Sequence, residues 1–293
     1  MEHQLPPPSG TLAADSDPLQ PLLHLLTGRR ILVLSGAGLS TESGIPDYRG
    51  PDGPRRTRTP ITYQAFTRSE AARRRYWARS FLGWPAMRDR RPNDGHRAVS
   101  RLEAAGVVCG VLTQNVDRLH QAAGAHRVLE LHGALATVRC LHCGRLESRD
   151  SVQSRLARAN PDFASADATM APDGDAELDP RLEEAFRPVP CRGCGGLLKP
   201  DVVFFGENVP QERVARSWEM LAGAEVLLVL GSSLTVRSGY RYVARAAAEG
   251  MPVAIVNDGP TRGDGDAVVR VAGRLGKVLP ALADRLLAAR LPA

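Results

Sequence analysis

Five short runs of aliphatic residues recur along the chain, and most of them are separated by stretches with helical periodicity. The runs occupy residues 31–34, 107–112, 226–230, 253–256 and 268–271. Unbroken apolar strands are typical of a parallel sheet, because helices cover both of its faces. The intervening patterns predict helices over residues 96–105, 211–221, 240–249 and 279–290. We therefore expect an α/β fold with a doubly wound, Rossmann-like parallel sheet.

Length and composition place the chain among ordinary globular proteins. Apolar residues make up 43% of the 293 residues and charged residues 24%, which allows one large domain or two. No apolar run approaches the ~20 residues of a membrane-spanning helix. The first residues, MEHQLPPPSG, lack the basic start and apolar stretch of a signal peptide. We expect a cytoplasmic location and no membrane partner.

Four of the five cysteines fall in two Cys-x-x-Cys pairs separated by 47 residues. The pairs are Cys140 with Cys143 and Cys191 with Cys194, a spacing suited to one tetrahedral zinc site. Four thiolates leave no open coordination position, so we expect one structural Zn²⁺ that takes no part in the chemistry. A redox dithiol is the competing interpretation, but it would need only one pair. Residues 140–199 are thus predicted to form a small zinc module inserted into the sheet domain.

The rest of the chain divides into an N-terminal arm and the sheet domain. Residues 1–20 are rich in Pro, Ser and Asp without apolar periodicity, which predicts a mobile arm. Residues 21–139 and 200–293 would form the Rossmann-like domain, with a helical insertion at about residues 50–92. Within residues 51–101, 13 arginines stand against four acidic residues, a local charge of +9. This charge suits nucleic acid, an acidic protein or an acidic substrate group, and a solvated helix face is an equally good interpretation.

A glycine-containing turn follows the first aliphatic run. Residues 35–41 read Ser-Gly-Ala-Gly-Leu-Ser-Thr, which predicts a turn from strand to helix that brings backbone N–H groups close to a pyrophosphate. Two features depart from the usual dinucleotide fingerprint. Thr41 occupies the position of the third glycine, and no acidic residue ends a second strand ~20 residues further on. A plain turn into a helix is the alternative.

Polar side chains follow two other strand-like runs. Residues 113–117 read Thr-Gln-Asn-Val-Asp after an apolar strand, and His132 follows a short run at residues 128–131. Ligands of open α/β folds bind at the carboxyl ends of such strands. Each residue is ambiguous by itself, since a lone histidine is often structural. Together they provide a candidate base beside groups suited to a ribose and a carboxamide.

With these motifs in place, the sequence resembles the sirtuins, a family of NAD-dependent protein deacylases. The matching segments are Gly-Ala-Gly-x-Ser at 36–40, Gly-Ile-Pro-Asp-Tyr-Arg at 44–49, Gln-Asn-Val-Asp at 114–117, His-Gly at 132–133, both cysteine pairs, Lys-Pro-Asp-Val-Val-Phe-Phe-Gly-Glu at 199–207, Gly-Ser-Ser-Leu at 231–234, and Asn257. They occur in the family's order over about residues 28–280. Residues 76–85, 238–241 and 259–262 resemble the class II branch.

The resemblance implies which residues contact NAD. These are Gly36, Ala37, Gly38, Ser40, Asp47, Tyr48, Arg49, Gln114, Asn115, Val116, Asp117, Gly231, Ser232, Ser233, Asn257, Asp258 and Leu275. Asp117 and the Val116 backbone are implied to anchor the carboxamide. Asn257 follows a predicted strand and can serve the ribose hydroxyls in place of the missing acidic residue.

The resemblance also implies the catalytic and peptide-binding residues. His132 would act as general base on the ribose hydroxyls, with Asn115 as the second catalytic residue. The substrate peptide would be added as a strand between two edges. The edge residues are Phe205, Gly206 and Glu207 on one side, and Leu234 and Val236 on the other.

Tyr76 and Arg79 are candidates for contact with the acyl group. They fall three residues apart in a helical pattern and so share one face. In class III sirtuins a Tyr-x-x-Arg pair holds the carboxylate of succinyl or malonyl lysine. The aromatic residues around this pair follow the class II pattern, in which Arg79 turns outward into the basic surface. Both interpretations stay open at the level of the sequence.

The function implied is the NAD-dependent removal of acyl groups from protein lysine, which gives nicotinamide and O-acyl-ADP-ribose. Protein mono-ADP-ribosyl transfer is an alternative, because it would use the same NAD site. A third interpretation is a non-enzymatic, NAD-sensing zinc regulator that binds DNA. It leaves His132, Asn115 and Asp117 without a role, and the sequence lacks a clear helix-turn-helix signature. We therefore expect acylated-lysine proteins or peptides as partners and do not expect nucleic acid.

Overall fold

The computed structural model describes residues 17–47, 60–163, 169–170, 176–177 and 180–290. Tyr48, Arg49 and most of the predicted N-terminal arm lie outside these residues. The strands are β1 (Ile31–Ser35), β2 (Val108–Thr113), β3 (Val128–Glu130), β4 (Gly133–Cys140), β5 (Leu146–Ser148), β6 (Thr169–Met170), β7 (Ala176–Glu177), β8 (Leu198–Val202), β9 (Val226–Leu230), β10 (Val253–Val256) and β11 (Val269–Val271). The helices are α1 (Gln20–Leu26), α2 (Tyr63–Arg68), α3 (Glu70–Arg88), α4 (Asp94–Ala104), α5 (Leu119–Ala122), α6 (Arg149–Ala159), α7 (Pro180–Ala185), α8 (Gln211–Ala222), α9 (Arg237–Ala248) and α10 (Leu275–Ala288).

Six strands form a parallel sheet in the order β11-β10-β9-β1-β2-β3. All five aliphatic runs of the sequence are strands of this sheet, which confirms the predicted doubly wound fold. The strand order reverses beside β1, because the chain passes to β2 on one side and to β9 on the other. The carboxyl ends of β1, β2 and β9 therefore open a crevice at this switch point.

Alternate side chains of the central strands enter two separate cores. Ile31 and Val33 of β1 pack with residues of α1, α4 and α10, whereas Leu32 and Leu34 pack with residues of α8 and α9. Every residue of β1, β9 and β10 is buried. This double burial explains why these strands are continuous aliphatic runs rather than alternating ones.

A second layer is built around a three-stranded antiparallel sheet in the order β5-β4-β8. Its strands lie between Gly133 and Val202, and both cysteine pairs fall within this segment, Cys140 at the end of β4 and the other three cysteines outside the strands. Aromatic residues of α3 pack against it, with Trp77 and Phe81 in one cluster with Val138. Helices α2, α3 and α6 begin at polar residues whose hydroxyl groups accept a backbone N–H bond, namely Thr62, Ser69 and Ser148. The division of the chain into domains stays a prediction.

The basic segment is partly engaged in contacts within the protein. Arg73 donates to the carbonyl groups of Phe66 and Thr67, and Arg74 pairs with Glu70. None of the helices in the described part of the chain is long and apolar enough to cross a membrane.

Candidate active site

A cleft of about 1700 Å³ opens at the carboxyl ends of β1, β2, β9 and β10. It brings together most of the residues that the sequence singled out. Those that line it are Gly36, Ala37, Gly38, Ser40, Asp47, Tyr76, Gln114, Asn115, Val116, Asp117, His132, Phe205, Gly206, Glu207, Gly231, Ser232, Ser233, Leu234, Val236, Asn257, Asp258 and Leu275. Arg79 is not among the described residues that line the cleft.

The glycine turn after β1 touches the turn after β9, backbone against backbone. Gly38 N donates to Gly231 O at 2.9 Å, and a Cβ atom on Gly38 would lie 2.9 Å from that oxygen. Gly231 has a φ of 61°, in the left-handed region that favours glycine. The sequence predicts that this turn opens a helix, but only two short 3₁₀ turns follow, at Ala37–Leu39 and Thr41–Ser43. The N–H groups of Gly36, Gly38, Leu39 and Ser40 donate to backbone carbonyl groups, so the packed turn itself, rather than the end of a long helix, lines this part of the cleft.

Asn115, Ser40 and Asp117 form a hydrogen-bonded chain at the floor of the cleft. Asn115 Nδ2 donates to Gly36 O at 3.0 Å and to Ser40 Oγ at 3.1 Å. The Ser40 hydroxyl donates to Asp117 Oδ2 at 2.6 Å. Burial raises the pKa of Asp117, while the N–H of Leu119 and the hydroxyl of Ser40 act in the opposite direction. The β1 turn and the 114–117 segment are thus fixed to each other.

His132 lies in the same cleft with both ring nitrogens in contact. Nδ1 lies 2.9 Å from Gln114 O, and Nε2 lies 2.7 Å from Ser238 Oγ. A carbonyl oxygen can only accept, so Nδ1 carries the proton and Nε2 presents its lone pair. Burial lowers the pKa of His132, as do Arg241 and Arg213, and the Gln114 carbonyl opposes this. The imidazole is therefore neutral above this lowered pKa, and its unprotonated Nε2 atom contacts Ser238 in the lining of the cleft.

The predicted peptide edges flank this histidine. Phe205 and Val236 are exposed large apolar residues of these edges. Glu207 instead contacts its own loop, since Oε2 lies 3.0 Å from Lys199 Nζ and accepts from Phe204 N at 2.9 Å. This carboxylate therefore shapes the edge.

Tyr76 and Arg79 occupy different surroundings. The Tyr76 ring packs against Phe204 at 5.2 Å and lines the cleft. Arg79 Nε lies 2.6 Å from Glu183 Oε1 of α7, and both side chains are largely buried. The positive charge of Arg79 is thus neutralised within the protein.

Sequence reasoning missed three contributors to the site. Ser238, which contacts His132, was noted only as part of a subclass motif. His120 and Ser35 lie behind the cleft, where Ser35 Oγ donates to Thr113 Oγ1 at 2.9 Å and Thr113 Oγ1 accepts from Asn115 N at 3.1 Å. Their local signal is polarity at buried positions, since Ser35 ends β1 and His120 lies in α5.

The four paired cysteines meet at one point. Their sulfur atoms all lie within 4.8 Å of one another, with Cys140 to Cys194 at 3.5 Å and Cys143 to Cys191 at 3.8 Å. Four thiolates bound to zinc at ~2.3 Å in a tetrahedron stand ~3.8 Å apart. Backbone N–H groups of His142 and Gly193 point at the sulfurs of Cys140 and Cys191 and stabilise thiolates. The cluster fits one structural zinc ion.

Comparison with known proteins agrees with this geometry. The sequence model of the Sir2 family matches residues 36–238. The chain is 55% identical to "NAD-dependent protein deacetylase 1" of Streptomyces coelicolor over 279 residues, covering 95% of this chain and 93% of that protein. The solved structure "Sir2-p53 peptide-NAD+" superposes with a TM-score of 0.72 at 29% identity, covering 91% of this chain and 98% of that one. "Sir2 bound to acetylated peptide" gives 0.70 at 26% identity, with the same coverage of each chain. The chain belongs to the Sir2 family.

Proposed function

We propose that this protein is an NAD-dependent protein lysine deacylase that removes acetyl or related acyl groups. The observation that carries the proposal is the neutral His132 imidazole, whose Nε2 atom faces the cleft beside the Asn115, Ser40 and Asp117 chain. The name of the Streptomyces coelicolor relative and the peptide complexes of the structural neighbours support it.

The residues present fit NAD. The β1 turn has no side chain beyond Cβ at residues 36–38, so the phosphates could approach its backbone closely, and Asn257 follows β10, where its side chain and that of Asp258 suit the adenosine ribose. Ser232, Ser233 and Leu275 complete that end of the cleft. Asp117 and the Val116 backbone would hold the carboxamide. Bound NAD supplies a ribose carbon that accepts the acyl oxygen of the modified lysine as nicotinamide leaves.

His132 and the residues around it are placed to accept a proton from the substrate. Gln114 O fixes the His132 tautomer, so Nε2 carries the lone pair that would take a proton from a ribose hydroxyl. The Ser238 hydroxyl occupies that lone pair and would give way to the substrate hydroxyl. Asn115 donates its side-chain amide hydrogens to Gly36 O and Ser40 Oγ. It therefore holds the floor of the cleft in a fixed geometry that can orient the substrate.

The substrate peptide would pair between the edges at residues 205–207 and 234–236. We infer that the acyl group is neutral, because Glu183 already neutralises Arg79 and Arg79 lies away from the lining of the cleft. The zinc ion would hold the small sheet together and take no part in the reaction, since four thiolates close its coordination. The class II assignment and the cytoplasmic location stay predictions.

Mono-ADP-ribosyl transfer would need a nucleophilic protein side chain in place of the acyl oxygen, and no contact among the described residues of the cleft favours it. The test is mass spectrometry of reactions with NAD and lysine peptides that carry acetyl, long-chain, dicarboxylic or lipoyl groups. We expect NAD-dependent loss of neutral acyl groups. Protein-linked ADP-ribose with every acyl group intact would overturn the proposal.

A further inference from the structure

Three arginines lie along one rim of the cleft without acidic partners. Arg237, Arg241 and Arg262 all line the cleft. Within the described part of the chain, none of the three forms an ion pair with a carboxylate. The Arg262 guanidinium instead lies 4.3 Å from the centre of the Tyr240 ring. The rim made by these three residues therefore carries uncompensated positive charge.

Two cations near the first peptide edge are paired with carboxylates, unlike the three arginines of the rim. Lys199 lies 3.0 Å from Glu207, and Arg213 Nη2 lies 3.1 Å from Asp201 Oδ2. Asp258 and Arg274 also line the cleft, beside the residues proposed for the adenosine ribose, so the three arginines set the charge next to the second peptide edge.

Arg241 is held in a defined orientation. Its guanidinium lies 5.2 Å from the Tyr242 ring centre and 5.7 Å from that of Trp218. Nη2 donates to Tyr242 OH at 3.2 Å, and that hydroxyl lies 2.6 Å from Ser217 Oγ. The Nε atom is buried without a hydrogen-bond partner. A guanidinium fixed in this way is preorganised for a carboxylate, because little side-chain entropy is lost on binding.

The rim lies where a peptide must pass. Val236, on the second peptide edge, directly precedes Arg237 at the start of α9. Ser238 of the same turn lies 2.7 Å from the His132 ring, and Arg241 stands three residues further along the helix, on the same face as Ser238. A peptide that places its modified lysine at His132 therefore sets neighbouring residues beside Arg237 and Arg241.

We propose that this rim selects substrate proteins that carry an acidic residue within a few positions of the acylated lysine. The inference rests on the proposed function and adds a substrate class to it. The attraction between the acidic residue of the substrate and the rim would consist of partly exposed ion pairs and one contact with the oriented Arg241 guanidinium. It should therefore be moderate in strength and sensitive to salt.

The experiment uses one acetyl-lysine peptide with Glu, Gln or Lys placed in turn at each of the nearest positions on both sides. At one or more positions we expect kcat/KM for the Glu peptide to exceed that for the Gln peptide by about threefold to tenfold, with the Lys peptide lowest. High salt should reduce the difference. Arg241→Met and Arg237→Gln should each reduce it, whereas Arg216→Gln should leave it unchanged. Arg216 is a matched control, because it is exposed on α8 and does not line the cleft.

The outcomes separate the two proposals. If wild-type protein deacetylates the Glu, Gln and Lys peptides equally well, the rim inference is wrong and the proposed function stands. An acidic preference that survives both rim variants also overturns the inference. If no peptide of any charge is deacetylated with NAD, the proposed function fails and the inference fails with it.

Discussion

The Nε2 atom of His120 lies 2.8 Å from the hydroxyl oxygen of Ser35, directly behind the strand ends that carry the site. The His120 ring also lies 5.1 Å from the ring of His96 in an edge-to-face arrangement. His96 Nδ1 lies 3.0 Å from Asn93 Oδ1, and Asn93 Nδ2 donates to Leu39 O at 2.8 Å. The two buried imidazoles therefore join the segment after β2 to the turn after β1.

This histidine pair predicts loss of stability in acid. Burial lowers the pKa of His96 to about 3 and that of His120 to about 4. A histidine in the unfolded chain takes up its proton near pH 6.5, so below that pH the unfolded state binds more protons than the folded state. We expect the free energy of unfolding to fall as the pH decreases from about 6.5 towards about 4, by up to about 1.4 kcal/mol per pH unit for each histidine. Chemical denaturation across this range measures the slope.

One substitution in the pair and one control test whether the buried histidines cause the pH dependence of the free energy of unfolding. His120→Gln should reduce the slope of the free energy of unfolding against pH by the contribution of one histidine, because glutamine does not titrate. His126→Gln, at an exposed histidine, should leave the slope as it is in the wild type. Identical slopes in all three proteins would show that the buried pair does not govern acid stability.

The second prediction concerns His132. His132→Ala should lower the deacylation rate by about 100-fold to 10,000-fold, because the general base is lost. NAD affinity, measured by calorimetry, should change little, since the imidazole acts on a hydroxyl and is not a main anchor. Ser238→Ala keeps the imidazole and its Gln114 contact, so we expect a smaller loss. Near-normal turnover in His132→Ala would refute the assignment of the base.

The third prediction concerns the cysteine cluster. Metal analysis should find one zinc per chain, and its removal by a chelator should unfold the small sheet and abolish activity indirectly. Cys143→Ala should lose the metal, whereas Cys109→Ser should retain it, because Cys109 lies in β2. Folded, active protein that contains no zinc would contradict this prediction.

The fourth prediction concerns Arg79 and Glu183. Arg79→Met should lower the melting temperature, because removing one partner of a buried ion pair costs about 3–5 kcal/mol. The double variant Arg79→Met with Glu183→Leu should recover much of that stability. The ratio of desuccinylase to deacetylase activity should be low in the wild type and unchanged in Arg79→Met. A high wild-type ratio that falls in this variant would make Arg79 an acyl-carboxylate receptor.

The central sheet could be predicted because its strands are buried on both faces. The runs at residues 226–230 and 253–256 match β9 and β10 at both ends. Strand β3 was expected only as a short strand-like run before His132 and not as a sixth strand of the sheet, since three residues are too short for a periodic signal. Strand β4 pairs antiparallel in the second sheet and is only partly buried, so it lacks an unbroken aliphatic run.

The residues of the site were predictable where a motif follows a strand end directly, as Gln114 and Asn115 follow β2. Contacts between distant segments were not. The bond between His132 and Ser238 joins residues 106 positions apart, and that between Arg79 and Glu183 joins residues 104 positions apart. Only the folded chain brings such partners together, so helical spacing alone placed Arg79 beside Tyr76 and left out the partner on α7.

The most direct test of the account is the stoichiometry of products, measured by mass spectrometry with an acetyl-lysine peptide and NAD. For each lysine that loses its acetyl group, we expect one nicotinamide and one O-acetyl-ADP-ribose, and no reaction without NAD. Deacetylation that proceeds without NAD, or consumption of NAD that leaves ADP-ribose on protein and the acetyl-lysine intact, would contradict the account.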